Sequence, residues 1–571
     1  LRNPFSAPQP HLCQEKPVEA IWLRHYPEGV PHRIDIGDYA SLVDLFERAM
    51  LAHRDRVAFE GLGGSLSYGE VDRLSQDFAS YLQNILGLPK GSRVALMMPN
   101  VLATPVAMIG TLRAGMVVVN LNPKGAQREI AEQINDSGAR VVLVAEPFAH
   151  TLSQLRNELD LESVIVTSLG DLLPAPRRVA VNAGARHLRR AIPQWKLPGH
   201  VTLTQALARG RRQPANRSVL THGDMAFLQY TGGTTGTPMG VVLTHGNMVA
   251  NVLQARAWIM PWIEEGHERI VTALPLHHAF ALTANFLVFF SIGAANLLIA
   301  DPSNFASLTR AMARAPFSAF TGVNTLFNRL LNTPGFGDID FSQLKVTLGG
   351  GAAIQPAVAE RWRAITGRPL TEAYGLTEAA PAVSMNPLSA PEFNGSVGLP
   401  LPSTDISIRK ERGEETGLGV PGELCVRGPQ VTPGYWQQAE ATRAAFTEDG
   451  YLRTGDIATI DERGYITLVE RRKDIIIVSG FNVYPSEVEA VVAQADGVLE
   501  CACIGVPDQR TGEAVKLFVV RADEGLDEGQ LRAYCRERLS RYKLPREIVF
   551  VEELPKSQVG KILRRRLRER A

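Results

Sequence analysis

A chain of 571 residues is too long for one hydrophobic core and points to about two to four domains, while 45% hydrophobic and 21% charged residues mark an ordinary soluble globular protein. A net charge of +1 supplies no global field, so nucleic acid is excluded as the expected partner and any anion binding has to be local. Cys13, Cys425, Cys501, Cys503 and Cys535 are scattered with no CxxC pair, which argues against a disulfide framework and a structural zinc site and fits a reducing cytoplasm.

Residues 1–20 are polar and proline-rich without an apolar h-region, and are read as a tail rather than a signal peptide. Apolar residues at helical spacing predict a helix over residues 41–50, and residues 66–82 open with LSYGE before a second helical pattern. Residues 93–120 then read strand, helix, strand, the βαβ rhythm of a parallel sheet, which returns at 127–137 with 140–145 and again at 164–167. Between residues 172 and 200, Arg177, Arg178, Arg186, Arg189, Arg190 and Lys196 occur with no acidic residue. That face could rest on an anionic membrane surface, giving a peripheral contact on the inner face, or be a solvated basic face.

The stretch 230–247, YTGGTTGTPMGVVLTHGN, lies between an apolar strand-like run and a candidate helix start. Glycine lets backbone N–H groups turn onto an anion without a Cβ in the way, and the Thr231, Thr234 and Thr235 hydroxyls add donors there. The loop reads as a polyphosphate cradle. It is not the ordinary P-loop, because Gly240 is followed by Val241 rather than Lys-Ser or Lys-Thr. Residues 280–300 carry no charge and approach the length of a membrane span, but Asn285, Ser291, Gly293 and Asn296 interrupt them. They divide into a buried helix to about Phe290, a glycine turn and a short strand.

In LPLHHAF, His278 reads as a packed histidine rather than a metal ligand, since no HxxxH or carboxylate partner stands at ligand spacing. Residues 344–352 run a strand into glycines, the place where open α/β sheets bind ligands. YGLTE, from Tyr374 to Glu378, offers an aromatic face, a hydroxyl and a carboxylate. The carboxylate suits Mg²⁺, a cation that usually binds through substrate phosphates with few protein ligands. From 405 to 466, short alternating strands with frequent glycine and proline suggest a small β subdomain. Asp456 is a plausible acceptor for sugar hydroxyls, the charged run ERRKD marks a domain boundary, and the last hundred or so residues hold βαβ-like pieces and a basic end containing Lys561.

Taken in order, YTGGTTGTPMG, LPLHHAF, GGGAA, YGLTE, RTGD, ERRKD, SGFNVYPSEVE and PKSQVGKILRR resemble the signature of the adenylate-forming superfamily of acyl-CoA synthetases and firefly luciferase. Within it, the chain looks closest to bacterial long-chain fatty-acid-CoA ligases. The resemblance implies an α/β fold with a large N-terminal domain at residues 21–471, made of two α/β subdomains and a β-barrel at about 400–468. A small, mobile C-terminal α+β domain follows at 472–571.

It further implies activation of a fatty acid, medium- to long-chain, by ATP and Mg²⁺, followed by transfer to CoA. In that scheme Thr231, Gly232, Gly233, Thr234, Thr235 and Gly236 hold the β- and γ-phosphates, and Gly350, Gly351, Ala352, Tyr374 and Gly375 surround adenine. Thr377 touches the α-phosphate, Glu378 binds Mg²⁺, and Asp456 and Arg471 hold ribose. Lys561 bridges the carboxylate and the α-phosphate, His278 stands at the mouth of the acyl pocket, Lys473 is the hinge, and Gly480 belongs to the CoA tunnel. Three departures stand out: Met239 where relatives carry lysine, Gly233 for a serine, and His277 for an aromatic. A fatty acyl-AMP ligase serving a carrier protein, a luciferase-like oxidase and a non-catalytic binder are the alternatives, and a homodimer is left open.

Overall fold

The structure is a computed structural model and describes residues 20–188, 192–231, 239–479, 481–557 and 560–569. Its first sheet is seven-stranded, in the order Val201–Thr202, Ser163–Thr167, Val141–Ala145, Arg93–Met97, Val117–Asn120, Met225–Thr231, Met239–Thr244. The pairs are parallel up to Met225–Thr231, and the last pair is antiparallel. Val141–Ala145 is buried at every position, as a strand covered on both faces must be. The expected βαβ unit is present: Val94 lies opposite Val118, with the fully buried helix Ala103–Arg113 between the two strands.

The second sheet is nine-stranded and reads Leu399–Pro400, Ala382–Met385, Thr371–Gly375, Val346–Gly349, Ala319–Gly322, Arg269–Thr272, Ala295–Leu298, Val57–Gly61, Gly64–Ser67. Its middle is parallel and its edges antiparallel. The helix expected within 66–82 begins at Tyr68, directly after the antiparallel hairpin Val57–Gly61 and Gly64–Ser67. Ser67 then closes a capping box with Glu70, which fixes the start of Tyr68–Ser80.

The uncharged run at 280–300 is core rather than membrane. It forms the helical turns Ala281–Leu287 and Val288–Ser291 and then the strand Ala295–Leu298. Phe286 stacks on Phe46 at 5.9 Å between ring centroids and Phe290 stacks on Phe59 at 5.6 Å, so its apolar surface is spent on aromatic packing inside the protein. No helix among the described residues is long and apolar enough to cross a membrane.

The strand-like run and the helix start expected on either side of the glycine–threonine stretch are Met225–Thr231 and His245–Ile259, the latter capped by Thr244; between them the β-branched run Met239–Thr244 adds a strand antiparallel to Met225–Thr231. Two expectations are corrected. The predicted β-barrel is an open four-stranded antiparallel sheet, Asp405–Arg409, Gly422–Arg427, Leu452–Ile460, Ile466–Arg471. Its first and last strands do not pair among the described residues.

In the C-terminal part, Val498–Asp508 and Gly512–Arg521 form an antiparallel hairpin rather than a βαβ unit. Asp508 Oδ1 accepts from the N–H groups of Arg510 and Thr511, both at 3.0 Å, and closes the turn locally. Only Glu547–Phe550 runs parallel to Gly512–Arg521, after the helix Glu528–Arg538. This part has a core of its own, from Ile476 to Ile548, while the core of the large part ends at Ile466.

Candidate active site

The site lies where the second sheet, the four-stranded sheet and the C-terminal tail meet. Tyr374, on the strand Thr371–Gly375, donates its hydroxyl to Asp456 Oδ2 at 2.7 Å. Asp456 and Arg471 face each other across adjacent antiparallel strands, and Arg471 Nε lies 3.2 Å from Asp456 Oδ1. Burial raises the Tyr374 hydroxyl well above its ordinary range, with the Asp456 charge adding to the effect. The phenol therefore stays a donor, and Asp456 has one neutral and one cationic partner.

Thr377 and Glu378 follow on the short turn Thr377–Ala379. Glu378 Oε1 accepts from the Tyr435 hydroxyl at 3.0 Å, and Glu378 O accepts from Thr432 N at 2.7 Å. Burial raises the Glu378 carboxyl, opposed by hydrogen bonds and by Arg471. A carboxylate held in this way gains from any cation brought against it. Gly375 has no room for a side chain, because a Cβ would overlap the Pro381 carbonyl.

The glycines after Val346–Gly349 form a shelf beside Tyr374. A Cβ on Gly350 would come within 3.1 Å of Ala373 O and 3.3 Å of the Phe280 ring, so backbone, not side chain, faces this space. Gly351 has φ +74°, a left-handed turn that favours glycine. Ala352 is half-buried, and two residues on Ile354 N donates to Glu372 Oε1 at 2.9 Å.

Lys561 reaches the site from the far end of the chain. Burial, then repulsion from Arg471, lowers its ammonium to about 8, while Asp456 pulls the other way. His278, half-buried, is pushed down to about 4 by burial and further by Lys561, so it is neutral at pH 7. Phe280 N donates to His278 Nδ1 at 3.3 Å. The His277 carbonyl accepts from Gln229 Nε2 at 2.6 Å, tying this loop to the strand that ends at Thr231.

Tyr374, Asp456, Arg471, Glu378, His278 and Lys561 are thus linked by contacts or by electrostatic reach. Thr231 closes its strand at the edge of the described residues; Gly232, Gly233, Thr234, Thr235, Gly236 and Gly480 lie outside them. Lys473 sits on the turn Arg472–Asp474, where its carbonyl accepts from Arg568 Nη2 at 3.4 Å. Sequence reasoning missed Tyr435 and Glu372. Tyr435 stands in the run GYW at 434–436, but nothing in its spacing places it on Glu378.

Two family profiles match the chain, AMP-binding enzyme over residues 46–436 and AMP-binding enzyme C-terminal domain over residues 487–561. A long-chain-fatty-acid--CoA ligase of Yersinia pestis is 48% identical over 552 residues, covering 97% of this chain and 98% of that protein. One from Bacillus subtilis is 35% identical over 554 residues, covering 96% and 97%. Among solved structures, ATP-bound MatB from Rhodopseudomonas palustris superposes with a TM-score of 0.76 at 28% identity, covering 92% of this chain and 98% of that one. With two profile matches that together take in most of its length and relatives alike from end to end, the chain is a member of the AMP-binding enzyme family.

Proposed function

We propose that the chain is a fatty-acid-CoA ligase that forms AMP. In the first step a fatty carboxylate oxygen attacks the α-phosphorus of ATP, the bond to the β-phosphate breaks, and pyrophosphate leaves. In the second the CoA thiolate attacks the acyl carbon, the bond to AMP breaks, and the thioester departs. The substrate class is a medium- to long-chain fatty acid; the names of the similar ligases support the long-chain part.

The observation that carries this reading is that Lys561, from the far end of the chain, lies within electrostatic reach of the paired Asp456 and Arg471 and of His278. An ammonium from the tail beside a carboxylate–guanidinium pair can stand between an incoming acid and a phosphate, where two negative charges must approach. Tyr374 and the shelf Gly350, Gly351 and Ala352 frame the base, Gly375 lets the chain pass close behind, and Asp456 and Arg471 take the ribose hydroxyls. Thr377 donates to the α-phosphate, and the loop from Thr231 to Gly236 holds the outer phosphates. His278, kept neutral, lines the acyl side. Rotation about Lys473 withdraws Lys561 and brings the Gly480 segment in for the thiol, which places the domain boundary between residues 471 and 472.

The residues present fit Mg²⁺. Glu378 is a single carboxylate held by Tyr435, and no group of three His, Cys, Asp or Glu side chains gathers at ligand spacing among the described residues. A cation coordinated largely by substrate phosphates needs no more than this. When bound, Mg²⁺ neutralises phosphate charge. Among the described residues of the basic segment, Arg186 pairs with Glu146 at 2.8 Å and Trp195 packs inward on the first sheet's core, which favours a solvated face over a membrane contact; Arg189 and Arg190 lie outside the described residues.

The test is pyrophosphate release across aliphatic acids of increasing length and aryl acids, with and without CoA. Acid-dependent release and CoA-dependent thioester formation, strongest with medium to long chains, are the expected results. Release without thioester would favour a carrier-protein acceptor, and no acid-dependent release would overturn the reading.

A further inference from the structure

We infer that Thr325 and Glu470 are positioning residues that grip the tail on either side of Lys561 and hold it in place for adenylate formation. This rests on the reading that Lys561 acts in that step. Thr325, on the helix Asn324–Leu331 of the large part, donates its hydroxyl to Gly560 O at 3.1 Å, across more than two hundred residues of chain. Gly560 has φ +81°, and a Cβ there would overlap Thr325 Oγ1, so the glycine before Lys561 is what lets the two backbones approach.

On the other side, Glu470 is the buried residue just before Arg471, which ends the strand Ile466–Arg471. Its Oε1 lies 3.4 Å from Arg564 Nη1, three residues beyond Lys561, and its Oε2 accepts from Ser486 N at 2.8 Å. Ser486 Oγ donates to Val469 O at 2.8 Å, and Arg564 Nη2 donates to Glu489 Oε2 at 2.7 Å. The helix Pro485–Val492 and the tail are therefore fastened to the same strand end.

Both grips join the tail to the large part in the arrangement that has Lys561 in the site. Withdrawing Lys561 carries Gly560 with it and so parts Gly560 from Thr325, and on this inference it parts Arg564 from Glu470 as well. The grips therefore favour the adenylating arrangement over the thioester-forming one, and their loss has to act on one half-reaction.

The experiment separates the half-reactions: acid-dependent pyrophosphate release from ATP, and thioester formation from synthetic dodecanoyl-adenylate with CoA. Thr325→Val keeps shape and removes the donor. It is expected to slow adenylate formation about 3- to 10-fold, the effect of one hydrogen bond, without slowing thioester formation. Thr325→Ser should restore adenylate formation, and Glu470→Gln should slow it about 10-fold. Equal loss in both half-reactions, or no loss in adenylate formation, overturns the inference. Lys561→Ala is run in parallel. If it leaves adenylate formation intact, the assignment of Lys561 has failed; if it abolishes that step while Thr325→Val and Glu470→Gln do nothing, the grip alone has failed.

Discussion

The Tyr374 hydroxyl donates to Asp456 across 2.7 Å, joining the third strand of the nine-stranded sheet to the open four-stranded one. It leaves Asp456 with one oxygen toward Tyr374 and the other toward Arg471 at 3.2 Å, so the carboxylate is fixed before any sugar arrives. Asp456→Asn keeps the shape but loses the charge that orders Arg471. The expected outcome is a rise of about 10- to 100-fold in KM for ATP with a smaller change in kcat, the cost of charged hydrogen bonds lost at a binding subsite. Tyr374→Phe should act in the same direction but more weakly, about 3- to 10-fold. Steady-state pyrophosphate release measures both, and an unchanged KM for ATP in Asp456→Asn would remove ribose from the role of Asp456.

Lys561 titrates at about 8 because burial and Arg471 oppose its charge. Below that value the ammonium is present, and above it the site loses the cation that bridges acid and phosphate. The profile of kcat/KM for ATP, which reports the free enzyme, should therefore fall above about pH 8, by about tenfold per pH unit. Lys561→Arg carries a group that stays charged beyond about pH 12, so its profile should start lower, because the fork does not fit a point-charge site, and stay level through about pH 9. An alkaline limb that persists unchanged in Lys561→Arg would assign the titration to another group.

The sheets were legible where one period dominated. Residues 93–120 alternate strand, helix and strand with a largely apolar run in each strand, and no competing pattern exists there. The hairpin before Tyr68 was hidden because its strands are short and its turn, Leu62-Gly63, reads as loop. In the C-terminal part the strand pieces were legible but not their pairing: Val498–Asp508 and Gly512–Arg521 pair antiparallel because Asp508 closes a short turn through its side chain, which spacing does not reveal. At the site, motifs located residues but not partners. Tyr435 on Glu378, Glu372 on Ile354 N and Thr325 on Gly560 are contacts between distant stretches, and their geometry exists only once the sheets are stacked.

Met239 opens the strand Met239–Thr244 and lies opposite Thr231, at the foot of the glycine–threonine stretch. A lysine there would be anchored by the strand pairing and would add a cation beside the outer phosphates. A charge-assisted phosphate contact is worth ~1.5 to 3 kcal/mol, so Met239→Lys should raise kcat/KM for ATP by about 10-fold or more. Pyrophosphate release at limiting ATP measures it. No gain would show that another group already neutralises that charge.

Glu372 is buried, and its carboxylate takes a single backbone donor, Ile354 N at 2.9 Å, at the end of the glycine shelf. Burial outweighs that bond and pushes the carboxyl up to about 7 from 4.5. Between those values the folded chain keeps a proton that the unfolded chain releases, so the contribution to stability is full below pH 4.5 and is lost as pH rises through 7. The loss has an upper bound of about 3 kcal/mol, because holding the proton against each further pH unit is worth about 1.4 kcal/mol. Glu372→Gln keeps an oxygen for Ile354 N and cannot ionise. Its melting temperature relative to the parent chain should therefore climb between about pH 5 and about pH 8, and kcat/KM for ATP should follow, because Ile354 anchors the shelf beside Tyr374. A difference in Tm that stays constant over that range would mean that Glu372 is ionised throughout and that the shelf is held by a charge, not by a protonated acid.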